Sequence, residues 1–449
     1  MNELLSLSPI DGRYLEKTKE LADSFSEYAL IKYRVDVEIK WLLYLIDKKI
    51  IDEKITKDER NSILSIIDKF NLEEAKTVKQ IEKVTKHDVK SCEYYIQTKF
   101  QELKLDRLIP FIHITLTSED INNTSYNLMI KSGLKIYLNN LSEMVNKIDE
   151  LANDYKSVPM MAHTHGQNAS PTTVGKEFKI FSYRLKSIIN LLNNLKLRSK
   201  FSGAVGNYNA HVVAFPNVDW IKITKGFIEQ NDLEYNPLTT QIESHDILCV
   251  LLSYIKIINN IIKDLNSDMW LYIGKGYFKE RKQELEVGSS VMPHKVNPIN
   301  HENSMANIEI SNSLIDALVN NLSISRMQRD LTDSSKLRNI GVIFAHSLIS
   351  IKETLTGLNK LEVNETLLKE ELENHYEILT EAIQTVLRKN KVPKAYELLK
   401  GISRGKELTK KDLHKFIKSL DINDEDKKIL LDLTPSKYIG LATTIVDKN

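Results

Sequence analysis

The chain has 449 residues, 42% of them hydrophobic and 27% charged, with 62 basic and 61 acidic side chains and a formal charge of +1. Such a length allows two to three domains at roughly 100–200 residues each, and the near-cancelling charge excludes the global basic excess of a nucleic-acid-binding protein. Cys92 and Cys249 lie far apart, with no Cys-x-x-Cys or Cys/His ligand spacing, which points to a reducing compartment and against a structural zinc.

Residues 1–20 lack a basic n-region and an adequate apolar stretch, so no secretory signal is expected and the cytoplasm is the expected location. Pro9 and Gly12 make Ser8-Pro-Ile-Asp-Gly-Arg-Tyr14 a turn-rich lead-in. From Phe25 to Ile46 apolar residues recur at three and four (Tyr28, Ile31, Val35, Ile39, Leu42, Leu43, Ile46), which predicts a helix with one buried face. Ile63, Ile66, Ile67 and Phe70 predict a second helix. The polar run Thr85 to Lys90 leads into a third, apolar at Val89, Tyr94, Ile96 and Phe100. Pro110 breaks the pattern and marks a domain boundary.

Thr117-Ser118-Glu119-Asp120 reads as a helix start with capping-box spacing. Beyond it Leu134, Leu138, Leu141, Val145 and Ile148 step by four and three, the seam of a helix packed lengthwise on other helices. Met161 to Pro171 reads as a loop. A further helix carries Phe181, Leu185, Ile188, Leu192 and Leu195, and Phe201 to Pro216 is loop-like. The run Ile247 to Ile262 is interrupted by Lys256, Asn259 and Asn260, so it falls short of the ~18 uninterrupted apolar residues of a membrane span and predicts a buried helix instead. Ile308, Ile315, Leu318 and Leu322 form another lengthwise face. From about residue 360 the chain is more charged and is expected to be broken at Gly401 and Gly405.

These patterns predict an all-α protein built on a long central helical bundle. The expected parts are an N-terminal helical domain (1–110), the bundle (111–359) and a small helical C-terminal domain (360–449). Helices this long expose more apolar surface than one chain readily covers, so self-association is expected, with coverage by the terminal domains as the alternative.

Chemistry concentrates in a few polar stretches. Gly288 to Asn303, inside the loop 284–303, gathers Ser289, Ser290, His294, Lys295 and Asn297, and Pro293 and Pro298 forbid a continuous helix through it. A plain solvated loop is the alternative. No Gly-x-Ser-x-Gly elbow surrounds Ser289, so a serine-hydrolase nucleophile is excluded, whereas Lys295 and loop amides suit an oxyanion or a substrate carboxylate. His163-Thr-His165-Gly-Gln167 offers imidazoles for proton transfer near neutrality, and no acidic or Cys ligand accompanies them at metal-site spacing. Arg13, Lys86, His87, Arg326, Arg329 and Arg338 lie in similar polar stretches and suit carboxylate or phosphate, as do the hydroxyls of Thr117 and Ser118 at a helix start. The absence of a Walker loop and of Gly-x-Gly-x-x-Gly argues against a nucleoside-triphosphate or NAD enzyme.

Gly288-Ser-Ser-Val-Met-Pro-His-Lys-Val-Asn-Pro298 resembles the signature loop of the fumarase/aspartase superfamily. Ser8 to Tyr14, Lys86 to Lys90, Thr117 to Asn123, Thr164 to Gln167, Gly203 to His211, Thr239 to Glu243 and Arg329 to Arg338 extend the resemblance over nearly the whole chain. The basic, phosphate-suited motifs tilt it to the nucleotide-processing branch. The resemblance implies a three-domain subunit, a homotetramer with active sites shared between subunits, and no cofactor or metal. It implies anti β-elimination of fumarate from adenylosuccinate, giving AMP, and from a succinylated aminoimidazole carboxamide ribotide of purine biosynthesis. Ser289 is then the general base and His165 the general acid, although His163 stands where an arginine often precedes the Thr-His pair. Substrate contacts are implied for Arg13, Tyr14, Lys86, His87, Asp88, Thr117, Ser118, Gln241, Ser290, Lys295, Val296, Asn297, Asn303, Arg329, Ser334, Ser335, Lys336, Leu337 and Arg338. Sister lyases of argininosuccinate, aspartate or malate, a cycloisomerase and an idle helical protein are the competing assignments.

Overall fold

A computed structural model describes residues 3–281, 292, 295–403 and 408–449, apart from the side chains of 402 and 403. The chain is mostly helical, and its strands, two or three residues each, form four two-stranded pairs among the described residues. The expected all-α class therefore holds. Two compact units are present: Met1–Leu141 with Ile188–Asn260 and Ala306–Lys352, and Ser142–Ser187 with Ile261–Met305 and Glu353–Asn449.

In the first unit the Glu27–Asp47 helix is capped by Ser26, whose side chain accepts from the Ala29 amide, and it is buried on nearly all sides. Trp41, at its centre, is fully buried, with Phe201 and Phe227 packed edge-on at 4.9 and 5.0 Å. Its indole NH donates to the Ile114 carbonyl at 3.3 Å. Aromatic pairs of this kind add ~0.5–1.5 kcal/mol each beyond the area they bury. The cluster thus anchors the segments before Thr117 and around Phe201.

Lys57–Asp68 and Asp88–Glu102 follow the predicted pattern, except that Tyr95 is buried where Tyr94 was expected, Tyr94 being 40% exposed beneath the Lys90 ammonium. Leu72–Thr85 is an additional helix, capped by Asn71. Its sparse apolar positions, Ala75 and Val78 buried among charges, gave no clear period.

Ser118–Asp154 runs 37 residues. Tyr137, Leu141, Met144, Val145, Ile148 and Leu151 are buried along it, whereas Leu134 and Leu138 of the expected seam are half-buried. Phe25 displaces the seam: its ring lies where a Cβ on Gly133 would stand, 2.1 Å away, and Tyr137 meets Phe344 edge-on at 5.6 Å. Asn209–Ala214 is a short helix inside the stretch expected to be loop.

In the second unit Asn266 donates to Thr354 at 2.8 Å and to Ser304 at 3.2 Å, and its carbonyl oxygen faces His301 Nδ1 at 2.6 Å. Short amphipathic helices after residue 364 build a separate apolar core of Leu372, Leu379, Ile383, Leu387, Leu413, Ile417 and Leu430, joined by Met161. Gly401 does not break this region, because the Ala395–Ser403 helix continues through it. Gly405 lies outside the described residues. Among the described residues no helix is long and apolar enough to cross a membrane.

Candidate active site

Met161 to Pro171, expected as a loop, contains a hairpin in which His163–Thr164 pairs antiparallel with Gln167–Asn168. Its two-residue tip is His165-Gly166, with φ of 55° and 72°. Positive φ at both positions is the type I′ pattern that matches strand twist, and histidine tolerates the left-handed region better than most side chains. The turn therefore holds the His165 imidazole out in solvent. His163, at the base, lies with Nε2 2.8 Å from Lys275 Nζ.

In the first unit the Thr117 amide donates to Asp120 Oδ2 at 2.9 Å, the carboxylate arm of the expected capping box. The same carboxylate accepts from the Ser202 and Gly203 amides at 3.0 and 3.1 Å and lies 3.0 Å from Lys200 Nζ, both side chains being fully buried. Lys200 also donates to the Gly203 carbonyl at 2.7 Å. Asp120 thus ties the Thr117–Ser118 helix start to the Gly203–His211 stretch. His211 itself is packed between Tyr208 and Trp220, and burial pushes its imidazole down to about 4.

Arg329 gathers the next group. Nη1 donates to Glu119 Oε2 at 3.1 Å and to Gln241 Oε1 at 3.2 Å, and Nη2 reaches Ser334 Oγ at 3.4 Å. Gln241 is itself fixed by donating to the Ala204 carbonyl at 2.9 Å. Burial drives the Glu119 carboxyl up to about 7, against the pull of Arg329. Glu119, His245 and Asp333 are buried and each place one donor atom within 4.8 Å of the others. That donor set resembles a cation site, but Arg329, 3.1 Å from Glu119 and 3.9 Å from Asp333, already supplies the positive charge there.

A second basic group surrounds Asp88, which pairs with Arg34 at 2.7 Å and Arg338 at 3.4 Å. Burial works to raise the Asp88 carboxyl, yet the Arg34 charge overrides it and holds the group below the usual range. Arg338 also pairs with Glu27. Lys86 and His87 are exposed; Lys86 sits at φ 55° after one helix, and His87 caps the next by accepting from the Lys90 amide. Arg13 is exposed, its guanidinium 6.0 Å from the Tyr14 ring.

The remaining expected residues are more scattered. Ser335 is exposed, the Lys336 ammonium donates to the Asn321 carbonyl at 3.5 Å, and Leu337 is buried. In the second unit Lys295 and Val296 are exposed, whereas Asn297 and Asn303 are half-buried. Ser289, Ser290 and His294 lie outside the described residues.

Sequence reasoning missed Arg34, Glu119, Lys200, His245 and Asp333. Arg34, 2% exposed, sits on a helix buried on nearly all sides, where a cation must be paired to be tolerated. Its Nε donates to Asn122 at 2.9 Å.

A general lyase family model matches residues 12–309, and the adenylosuccinate lyase C-terminal model matches 325–439. The fumarate lyase of Mesorhizobium sp. BNC1 superposes with a TM-score of 0.76 at 18% identity, covering 96% of this chain and 97% of that one. The β-carboxy-cis,cis-muconate cycloisomerase of Acinetobacter calcoaceticus gives 0.72 at 18%, with the same coverage. Fold and family model define a lyase of the fumarase/aspartase superfamily. Adenylosuccinate lyase of Buchnera aphidicola subsp. Schizaphis graminum is 45% identical over 453 residues, spanning 100% of this chain and 99% of that protein. The Legionella pneumophila (strain Philadelphia 1) and Escherichia coli K12 adenylosuccinate lyases are 46% and 42% identical, over 99% and 100% of this chain and 99% of each relative. The chain belongs to the adenylosuccinate lyase family.

Proposed function

We propose that the chain removes fumarate from adenylosuccinate by anti β-elimination, leaving AMP, and acts likewise on the succinylated aminoimidazole carboxamide ribotide. The observation that carries this is the gathering of Arg329, Gln241 and Ser334 beside the Thr117–Ser118 helix start, a set of donors suited to an anionic substrate. Ser289 takes the proton from the succinyl β-carbon, and His165 gives a proton to the departing purine amine. Lys295, Asn297 and loop amides stabilise the carboxylate as charge flows into it. Arg13, Tyr14, Lys86, His87, Asp88, Ser335, Lys336, Leu337 and Arg338 line the phosphate and carboxylate sites, with Ser290, Val296 and Asn303 completing the contacts.

The active unit in this proposal is a homotetramer whose sites draw on several subunits, in the cytoplasm, with 1–110, 111–359 and 360–449 as the parts of each subunit. Apolar side chains left exposed on long helices support association: Ile180, Tyr183 and Leu191 on Val174–Asn193, and Val250, Ile257 and Trp270 on Asp246–Gly274. Two buried free thiols, Cys92 and Cys249, suit a reducing compartment. Purified protein is expected to consume adenylosuccinate and release fumarate, with AMP competing. No turnover, or no competition by AMP, defeats the assignment; a stable monomer in sedimentation defeats the tetramer.

A further inference from the structure

Glu119 is 2% exposed, yet only one of its oxygens is used: Oε2 accepts from Arg329, and Oε1 has no hydrogen-bond partner among the described residues. The same holds for His245 Nε2 and Asp333 Oδ2, which lie 3.8 Å apart, beyond hydrogen-bond reach. The three residues come from three segments, with one ligand-capable atom of each within 4.8 Å of the others, and Arg329 reaches Glu119 and Asp333 at 3.1 and 3.9 Å. Unsatisfied buried groups of this kind cost ~1–3 kcal/mol each. In such a cluster a proton on a carboxyl or imidazole converts an idle acceptor into a donor.

We propose that Glu119 is a positioning residue for Arg329, and that an anion arriving at Arg329 is bound together with one proton taken from solvent by the Glu119–His245–Asp333 group. This rests on Arg329 being an anion-binding residue of the proposed site. Glu119 is the resident counter-ion of Arg329. When an incoming phosphate or carboxylate shares that guanidinium, three carboxylate or phosphate charges press on one arginine in a low-dielectric setting, and the cheapest relief is to neutralise the buried carboxylate. The proton then sits on Glu119 Oε1, which becomes able to donate within the cluster.

Other charged groups facing the cluster set its balance. Lys200 lies near enough to favour the ionised carboxylate, Asp333 opposes it, and Glu243 stands 4.0 Å from His245 Nδ1. Burial already brings Glu119 to about 7, so near neutrality a modest change in the charge on Arg329 is enough to move its proton. Sharing the guanidinium weakens the pull that keeps Glu119 ionised, so the shift is upward and the proton is taken up.

Calorimetric titration with AMP in two buffers of different ionisation enthalpy reads this directly. Near pH 8 the AMP phosphate, with a second pKa of about 6, is already fully ionised, so protons taken up belong to the protein. Wild-type protein is expected to take up a sizeable fraction of one proton per AMP near neutrality and almost none at acid pH, and its affinity for AMP falls as the pH rises above neutrality. Glu119→Gln keeps the shape of the side chain but is expected to bind AMP with no uptake and a flat pH profile. Wild-type binding without proton uptake at any pH overturns the proposal with no need of the variant, as does undiminished uptake in Glu119→Gln. If adenylosuccinate is turned over and uptake is missing, only the coupling falls; if AMP does not bind, the anion-site assignment falls and takes the coupling with it.

Discussion

Lys275 Nζ lies 2.8 Å from His163 Nε2, and because an ammonium has no lone pair it must be the donor and the imidazole nitrogen the acceptor. Burial, and then the Lys275 charge, lower the His163 pKa, which favours the neutral ring this hydrogen bond requires. His163 is thus engaged by Lys275, whereas His165 stands exposed at the tip, the arrangement expected if His165 is the acid of the proposed reaction. His165→Ala is expected to lower kcat by about 100-fold or more, the usual contribution of a general acid. His163→Ala should lower it far less. Steady-state kinetics on both variants decide, and the reverse order makes His163 the acid.

His113 pairs with the buried Glu38, with Nδ1 and Oε1 2.6 Å apart. Burial alone would push His113 down, but the Glu38 charge overrides it and raises the imidazole to about 9. A histidine raised above its unfolded value stabilises the fold fully below pH ~6.5 and loses that contribution as the pH rises through about 9. The shift corresponds to at most about 3 kcal/mol. The pair braces a strained segment, since His113 and Thr115 both have positive φ just before Thr117. Thermal midpoints from neutral to alkaline pH should fall in wild type and change less in Glu38→Gln. Equal slopes would remove the pair from the account.

Asp120 and Lys200 are both fully buried, but they are unequally supported. Without Lys200, Asp120 keeps three backbone amides; without Asp120, Lys200 keeps the Gly203 carbonyl. Removing one partner of a buried pair costs ~3–5 kcal/mol. Asp120→Ala is therefore expected to lower the urea midpoint more than Lys200→Met. The opposite ranking would mean that the ammonium, rather than the carboxylate, organises this junction.

Gly206 adopts φ +80°, and a Cβ there would stand 2.2 Å from the Thr239 carbonyl oxygen. Both the conformation and the space exclude a side chain. Gly206→Ala must push the Thr239–Gln241 segment away, and Gln241 shares Arg329. A stability loss of about 1–3 kcal/mol is expected from the backbone strain, together with a raised KM. Unchanged KM and stability would show that the close approach is dispensable.

The helices were largely legible. Apolar steps of three and four located Glu27–Asp47 and Ile299–Leu322, and an apolar run located Asp246–Gly274, because helix periodicity and composition are local and survive in the chain order. The His165-Gly166 hairpin was not legible as such: two-residue strands carry no alternating pattern, and His-Gly is a rarer turn pair than Asn-Gly. Arg329 stood out as a charged residue in a polar run, yet its counter-ion Glu119 did not. The two are 210 positions apart, and nothing in either neighbourhood names the other.

By itself the sequence determined the helical class, the family and the kinds of side chain available for the reaction, since each depends on short-range spacing or on contiguous motifs. Only the tertiary structure decided how those groups are used. It put His163 under Lys275 and left His165 at the turn, gave Arg329 to Glu119, and buried Asp120 with Lys200. Ion pairing, proton affinity and desolvation depend on distance through space and on the surrounding dielectric, and the order of residues along a chain encodes neither directly.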